Sequence, residues 1–325
     1  MPLLVVPLAP DEAGQITLEE WDALRSCRRV FFERPGHPLE ERLRAAGVAA
    51  APFDDEPDAR ANECALVADP SSRRIVELAR AGAHVSVGTA RPPDDLSAAH
   101  AAPVVRRAAA ALGTLGVIMA RLRSDDGCPW DREQTHESLE VHLLEEAHEV
   151  LETINRNELD AELLEELGDV LLQVAFHARI AEQDGRFDLA RVADAISGKL
   201  IHRHPHVFGE TQVADAAEVL RNWESIKAAE KVRDDPFEDI PKSLPGLLAA
   251  YKTQKRAARL GWHAEDSEAR ARIDGALASG SIGEALFWLV ALARAAGTDP
   301  ETDLLRATAD FRARLGPGPG EAGLV

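Results

Sequence analysis

Two matched acidic segments, twenty residues apart, are the part of this chain best suited to chemistry. LLEEAHEVL (143–151) and LLEELGDVL (163–171) share Leu-Leu-Glu-Glu, two variable residues, an acid and Val-Leu. On a helix turning about 100° per residue, with Glu146 at 0°, Leu139, Leu143, Val150 and Ile154 fall between about 20° and 80°, and Glu149 at about −60°. With Glu166 at 0°, Leu159, Leu163, Val170 and Val174 fill the same stripe and Asp169 takes the place of Glu149. Each helix thus carries two carboxylates at i and i+3, bordering a face expected to be buried. A turn over 155–160 would fold the pair into an antiparallel hairpin. Packing the stripes together then converges Glu146, Glu149, Glu166 and Asp169. Like charges this close raise one another's pKa, and a hard divalent cation removes the conflict. An all-oxygen set suits magnesium or manganese rather than zinc or copper. A single E-x-x-E is most simply a solvated acidic face; the repetition at matching angles is what favours a metal site.

Lys199 and Arg203, at i and i+4 on a helix that ends at HPH, put two cations on one face. Such a pair binds phosphate oxygens, or is a solvated basic helix end favoured by the helix dipole. Trp223 and Lys227 repeat the spacing on the next helix. An indole there covers a base or ribose, or packs in the core. His202, His204 and His206 alternate around a proline, which does not place three imidazoles on one helical face. They are read as a helix-terminating turn rather than a metal site. Cys128 and Trp130 sit in the loop SDDGCPWDREQTHES (124–138).

These groups need elements to hold them. Short apolar runs at 3–6, 29–33, 49–53 and 84–88 read as strands, with helices near 18–26, 38–46 and 72–82 between them. That rhythm predicts a small α/β unit with a mostly parallel sheet. After RPPDD (91–95) the pattern becomes helical, from about 104 to 231. DDPFEDIPKSLPG (234–246) reads as a linker. Residues 247–315 are helical again, and the GPGPG run opens a tail, 316–325, expected to be disordered. GDVLLQVAFHAR (168–179) resembles GEALFWLVALAR (283–294), and Trp130 in CPWD corresponds to Trp262 in LGWHAED. Residues 247–315 are therefore read as an altered second copy of the central helical unit.

Composition sets limits. Acidic residues outnumber basic ones 56 to 37, for a formal net charge of −19. That field repels a nucleic-acid polymer, and a triphosphate is admitted only if a cation or a local basic cluster screens the site. The three cysteines form neither a disulfide framework nor a zinc pattern, which fits a reducing cytoplasm. MPLLVVPLAP has no signal-peptide pattern, and no apolar run is long enough to span a bilayer.

Taken together, Glu145-Glu146-Ala147-His148-Glu149, sixteen intervening residues and Glu166-Leu167-Gly168-Asp169 resemble the EExxE…ExxD motif of the all-α nucleoside triphosphate pyrophosphohydrolases. CPWDREQT (128–135) and KLIHRHPHVFGE (199–210) narrow the resemblance to the MazG family, closely over about 115–231 and weakly over 247–315. The resemblance implies a mainly α protein, a MazG-type helical bundle preceded by a small degenerate α/β domain. Its parts would be an α/β segment at 1–98, a catalytic helical domain at 104–233 and a degenerate helical unit at 247–315. It implies hydrolysis of nucleoside triphosphates to monophosphate and pyrophosphate, in nucleotide-pool housecleaning. Glu146, Glu149, Glu166 and Asp169 would hold Mg²⁺, or Mn²⁺ in its place. Glu145 would stand behind the ligands or orient the attacking water, making Glu145 and Glu149 the candidate catalytic acids. Lys199, Arg203, Trp223 and Lys227 would meet the nucleotide, and Trp130 would wall the base pocket. A homodimer or dimer of dimers is implied as well.

The outer segments depart from the family pattern. In the second helical unit the first acidic motif is absent, and Ser281 and Glu284 replace the acids of the second, which predicts a structural or dimer-supporting role. Residues 1–98 resemble the front half of a tetrapyrrole (SAM-dependent) methylase domain. Pro7-Leu8-Ala9-Pro10-Asp11 replaces its glycine-rich turn, so no methyl transfer is expected. Two other readings remain at this stage. A di-iron carboxylate protein would need E-x-x-H on two helices; Glu145 to His148 supplies one, but Gly168 stands where the second histidine should be. A non-catalytic interaction or regulatory protein could also have kept the helical scaffold.

Overall fold

A computed structural model describes residues 2–53, 63–230, 235–238 and 240–315. The tail expected at 316–325 lies outside them, as do positions 234 and 239 of the expected linker. The chain divides into two compact units, Met1–Glu224 and Ser225–Val325.

The first unit opens with five parallel strands: β1 (Leu4–Pro7), β2 (Arg29–Phe32), β3 (Ala49–Pro52), β4 (Cys64–Ala68) and β5 (His84–Val85). Their order across the sheet is β3-β2-β4-β1-β5. Residues alternate sides along a strand, so both faces of this sheet can be buried. Leu4 and Val6 join Val30 and Phe32 on one face, under α1 (Leu18–Ser26) and α2 (Pro38–Ala45). Leu3 and Val5 join Leu66 on the other, under α3 (Arg74–Arg80) and α4 (Asp95–Ala101). Pro10–Gln15 forms a 3-10 turn where a glycine-rich loop was expected to be missing.

Two strand expectations need correction. β4, a central strand, was not anticipated: only Ala65-Leu66-Val67-Ala68 advertises it, immediately after a polar stretch. The strand read at 84–88 pairs only at His84 and Val85. Beyond them, Ser86 Oγ and Gly88 N turn to donate to Glu20, each at 2.9 Å.

The α/β part is fastened to the first long helix, α5 (Val105–Leu122), by a buried ion pair. Arg106 Nη2 lies 2.5 Å from Glu20 Oε1, with the two side chains 4% and 2% exposed. Arg106 also donates to Pro7 O at 3.0 Å and Gln15 O at 3.3 Å. Glu20 accepts further from Thr17 N at 3.1 Å, within a capping box that starts α1. Every partner of this buried pair is satisfied, the condition under which a desolvated pair is tolerated.

Beyond α5 come α6 (Pro129–Glu133), α7 (Glu140–Arg156), α8 (Ala161–Gln183), α9 (Leu189–Arg203), α10 (Pro205–Phe208) and α11 (Ala216–Ala229). Met119, Leu139, Phe176 and Ile180 form the core that joins α5, α7 and α8. α6 lies inside the stretch read as loop. In the second unit, α12 (Gly246–Arg259), α13 (Asp266–Ala278), α14 (Ile282–Ala295) and α15 (Pro300–Leu315) gather around buried Ala269, Ala276, Ala285 and Val290. Gln254 of α12 donates to Phe287 O at 2.7 Å, and Trp262 packs on Phe287 and Trp288. No single helix among the described residues is long and apolar enough to cross a membrane.

Candidate active site

The acids depend on the α7–α8 hairpin. α7 stops because Asn157 adopts a left-handed conformation, φ 60°, a position Asn tolerates at helix C-termini. Its N–H closes on Ile154 O at 3.1 Å, and α8 begins four residues later, packed against α7. The hairpin expected from the spacing is therefore present.

It brings three of the four expected ligands together. One oxygen from each of Glu146, Glu149 and Glu166 lies within 4.8 Å of the other two. Among the described residues this is the one such group of three or more potential metal ligands. Asp169 is outside that group but acts on it electrostatically. Partial burial, then Asp169, then a hydrogen bond shared with Glu149 and the charges of Glu149 and Glu166 push the Glu146 carboxyl above its ordinary range. Desolvation, then Glu149, Asp169 and Glu165 push Glu166 the same way. Oxygens from separate helices held this close, against their own charge, are a donor set that fits a hard divalent cation.

Glu145 is outside the trio. Its Oε2 lies 3.3 Å from His142 Nδ1, one turn back on α7. The His142 ring meets Trp130 edge-on at 6.2 Å, and Trp130 meets Phe176 at 6.5 Å. A string of contacts thus runs from the half-exposed Trp130 to the residue beside Glu146. Sequence reasoning did not single out His142, although its place four residues before Glu146 puts it on the same helical face.

Lys199 is exposed on α9, one turn before Arg203. The Arg203 guanidinium lies 5.4 Å over the Trp223 ring, so these two residues form a second group. Lys227 is exposed one turn beyond Trp223 on α11. The three histidines behave as a helix end: His204 Nδ1 donates to Leu200 O at 2.6 Å and its ring packs on His206.

One expectation about the hairpin fails. The stripe beside the acids is not buried throughout: Leu139 is enclosed, but Leu143, Ile154 and Leu159 are exposed. On the flank farther from the acids, Leu144, Leu151, Leu164, Leu167 and Leu171 are exposed too. α7 and α8 are apolar over nearly half their circumference, and the described residues do not cover all of it.

The description "MazG nucleotide pyrophosphohydrolase domain" matches residues 134–208, a span that holds both acid pairs, Lys199 and Arg203. A nucleoside triphosphate pyrophosphohydrolase of Escherichia coli (strain K12) is 41% identical over 219 residues, which is 61% of this chain and 83% of that protein. The chain belongs to the MazG family. A second MazG relative, the nucleoside triphosphate pyrophosphohydrolase/pyrophosphatase MazG of Thermotoga maritima, is 39% identical over 212 residues, 61% of this chain and 81% of that protein. A solved MazG-related chain from Thermotoga maritima, 32% identical, covers 36% of this chain and 98% of its own length with a TM-score of 0.31. Membership makes this chain a nucleotide pyrophosphohydrolase and leaves the di-iron reading without support. His148, the histidine that reading needed, is exposed and outside the carboxylate trio.

Proposed function

We propose that this chain hydrolyses nucleoside triphosphates, with water, to nucleoside monophosphate and pyrophosphate, and that Mg²⁺, with Mn²⁺ as a substitute, is its metal. The convergence of Glu146, Glu149 and Glu166 across two helices carries the reading. Those three, with Asp169, would hold the ion. When bound, it supplies Lewis acidity and neutralises triphosphate charge. The protein's part is positional. α7 and α8 hold four carboxylates at fixed spacing, so the substrate need not organise them. Glu149, the most exposed of the trio, faces the nucleotide. Glu145, held by His142, either supports a ligand or orients the attacking water; undiminished turnover in Glu145→Gln would exclude the second role.

Lys199 and Arg203 steady the phosphates, and their charge offsets the repulsion expected from an acidic chain. Stacking on Trp223 fixes the plane of the Arg203 guanidinium, which favours directed phosphate contacts over a mobile charge. Trp130 walls the base pocket, and Trp223 and Lys227 border the nucleotide. The exposed leucines of α7 and α8 are the face on which a second copy would pack, giving a homodimer or dimer of dimers. The three unpaired cysteines fit a reducing cytoplasm. Residues 247–315 serve as a structural unit: Ser281 sits at the N-terminus of α14, with Glu284 exposed in its first turn. Residues 1–98 act as a non-catalytic support for α5.

Pyrophosphate release from mixed nucleoside triphosphates with Mg²⁺ tests the reading. Release that depends on the metal is expected. A well-folded chain that binds nucleotide and releases no pyrophosphate would favour the non-catalytic alternative.

A further inference from the structure

The indole of Trp130 needs something to hold it, because α6 has five residues and a helix that short does not persist alone. Arg123, the residue that ends α5, supplies the hold. Its Nη1 donates to Asp131 O, which also accepts the Gln134 N–H that caps α6, and to Gln134 O at 3.1 Å just beyond the helix. Its Nε donates to Gln183 Oε1 at 2.7 Å, and Gln183 Nε2 returns a bond to Arg123 O at 3.3 Å. Its guanidinium lies 5.3 Å over Phe176, the buried ring that receives the edge of Trp130. One planar group therefore touches the end of α6, the last turn of α8 and the ring beneath the indole.

A second fastening acts at the far end of the loop. Arg186 Nη2 donates to His136 Nε2 at 2.6 Å, which leaves the His136 proton on Nδ1. That proton is donated to His177 Nδ1 at 2.7 Å, with the two rings stacked at 5.0 Å. Gln134 Nε2 closes on Trp130 O at 2.9 Å between the two fastenings. Burial, and then His136, hold His177 below its ordinary pKa, in keeping with a neutral acceptor.

We propose that Arg123 is a positioning residue for nucleotide binding, acting through Trp130 by locking α6 and Phe176 into one arrangement. This rests on the reading of Trp130 as a wall of the base pocket. Lysine cannot replace Arg123, because a single ammonium cannot reach two carbonyls and Gln183 while covering a ring face.

The test uses the full chain with Arg123→Lys, Trp130→Ala and the double variant, assayed with Mg²⁺ and a panel of nucleoside triphosphates. Binding of α,β-methylene triphosphates by calorimetry, and thermal unfolding, are measured alongside. Arg123→Lys is expected to raise KM by about tenfold, within what one base–aromatic stack supplies, with kcat nearly unchanged. Trp130→Ala should do the same, and the double variant should be no worse than Trp130→Ala, since both remove one interaction. Additive losses in the double variant, or a lower unfolding temperature in Arg123→Lys with KM unmoved, would overturn the proposal while leaving Trp130 in the pocket. An unchanged KM in Trp130→Ala would overturn the pocket reading, and the proposal with it. A wild type without turnover would overturn the hydrolase reading alone, and the calorimetric comparison would then decide the Arg123 role.

Discussion

Replacing Arg106 by methionine isolates the contact that joins the α/β segment to the helical part. The substitution keeps most of the side chain's volume and removes its charge and donors. Glu20, 2% exposed, would keep Thr17, Ser86 and Gly88 as partners but lose the Arg106 cation. Pro7 O and Gln15 O would each lose a donor. Breaking a buried pair from one side costs about 3–5 kcal/mol, mostly the penalty of an uncompensated buried charge. The pH dependence identifies the cause. Burial alone would raise the Glu20 carboxyl, but hydrogen bonds from Arg106 and Thr17, the Arg106 charge and Ser86 outweigh it and hold it below its usual range. A folded pKa below the unfolded value of about 4.3 gives stability that is complete above that pH and lost as pH falls through the folded value. In the variant, burial acts without the compensating cation, so its carboxyl moves upward and the variant gains relative stability on acidification. The stability gap should be wider at pH 7 than in an assay at about pH 4.5, because the variant's carboxyl takes up its proton at higher pH than the wild type's. Urea unfolding at both pH values, followed by circular dichroism, measures it; Trp21, next to Glu20 on α1, gives a local fluorescence signal. A loss under about 1 kcal/mol at pH 7, the scale of an exposed pair, would refute the reasoning, as would a gap that does not change with pH.

Three further outcomes follow from the same structure. Without metal, Glu166→Gln should unfold at a higher temperature than wild type, because it removes one charge from the trio, yet it should lose most of the stabilisation that Mg²⁺ gives; thermal scans with and without the ion check both. Metal affinity should weaken as pH falls towards the raised pKa values of Glu146 and Glu166, since protons compete for the same oxygens, and Mn²⁺ titrations at several pH values measure this. Gly127→Ala should disorder the Trp130 loop, because an added Cβ would lie 2.2 Å from Leu122 O and 2.5 Å from Arg121 O; a cost of about 1–3 kcal/mol in unfolding and a raised KM are expected.

The site was legible to the extent that it follows helical angles. Duplicated acids at i and i+3 on two helices joined by a short turn leave few ways to pack, and Glu146, Glu149 and Glu166 meet as expected. Tertiary partners were less visible. His142 and Arg123 act through loop carbonyls and ring edges, which no periodicity encodes. Glu145, about 40° from Glu149 on the helical wheel, was read as an acid behind the ligands or beside the attacking water; its contact with His142 is a side-chain detail the wheel does not give. β4 was missed although its apolar run, Ala65-Leu66-Val67-Ala68, is as long as the run at 3–6 that was read as a strand of the same sheet. The apolar stripes were assigned to a buried face because amphipathicity reports that a surface is to be covered, not that the same chain covers it.

Product identification in the wild type and in Glu149→Gln tests the central claim most directly. With Mg²⁺ and a nucleoside triphosphate, the wild type should yield monophosphate and pyrophosphate in equal amounts, and the variant, with its fold intact by circular dichroism, should yield neither above background. Diphosphate and orthophosphate as products, or wild-type rates in the variant, would contradict it.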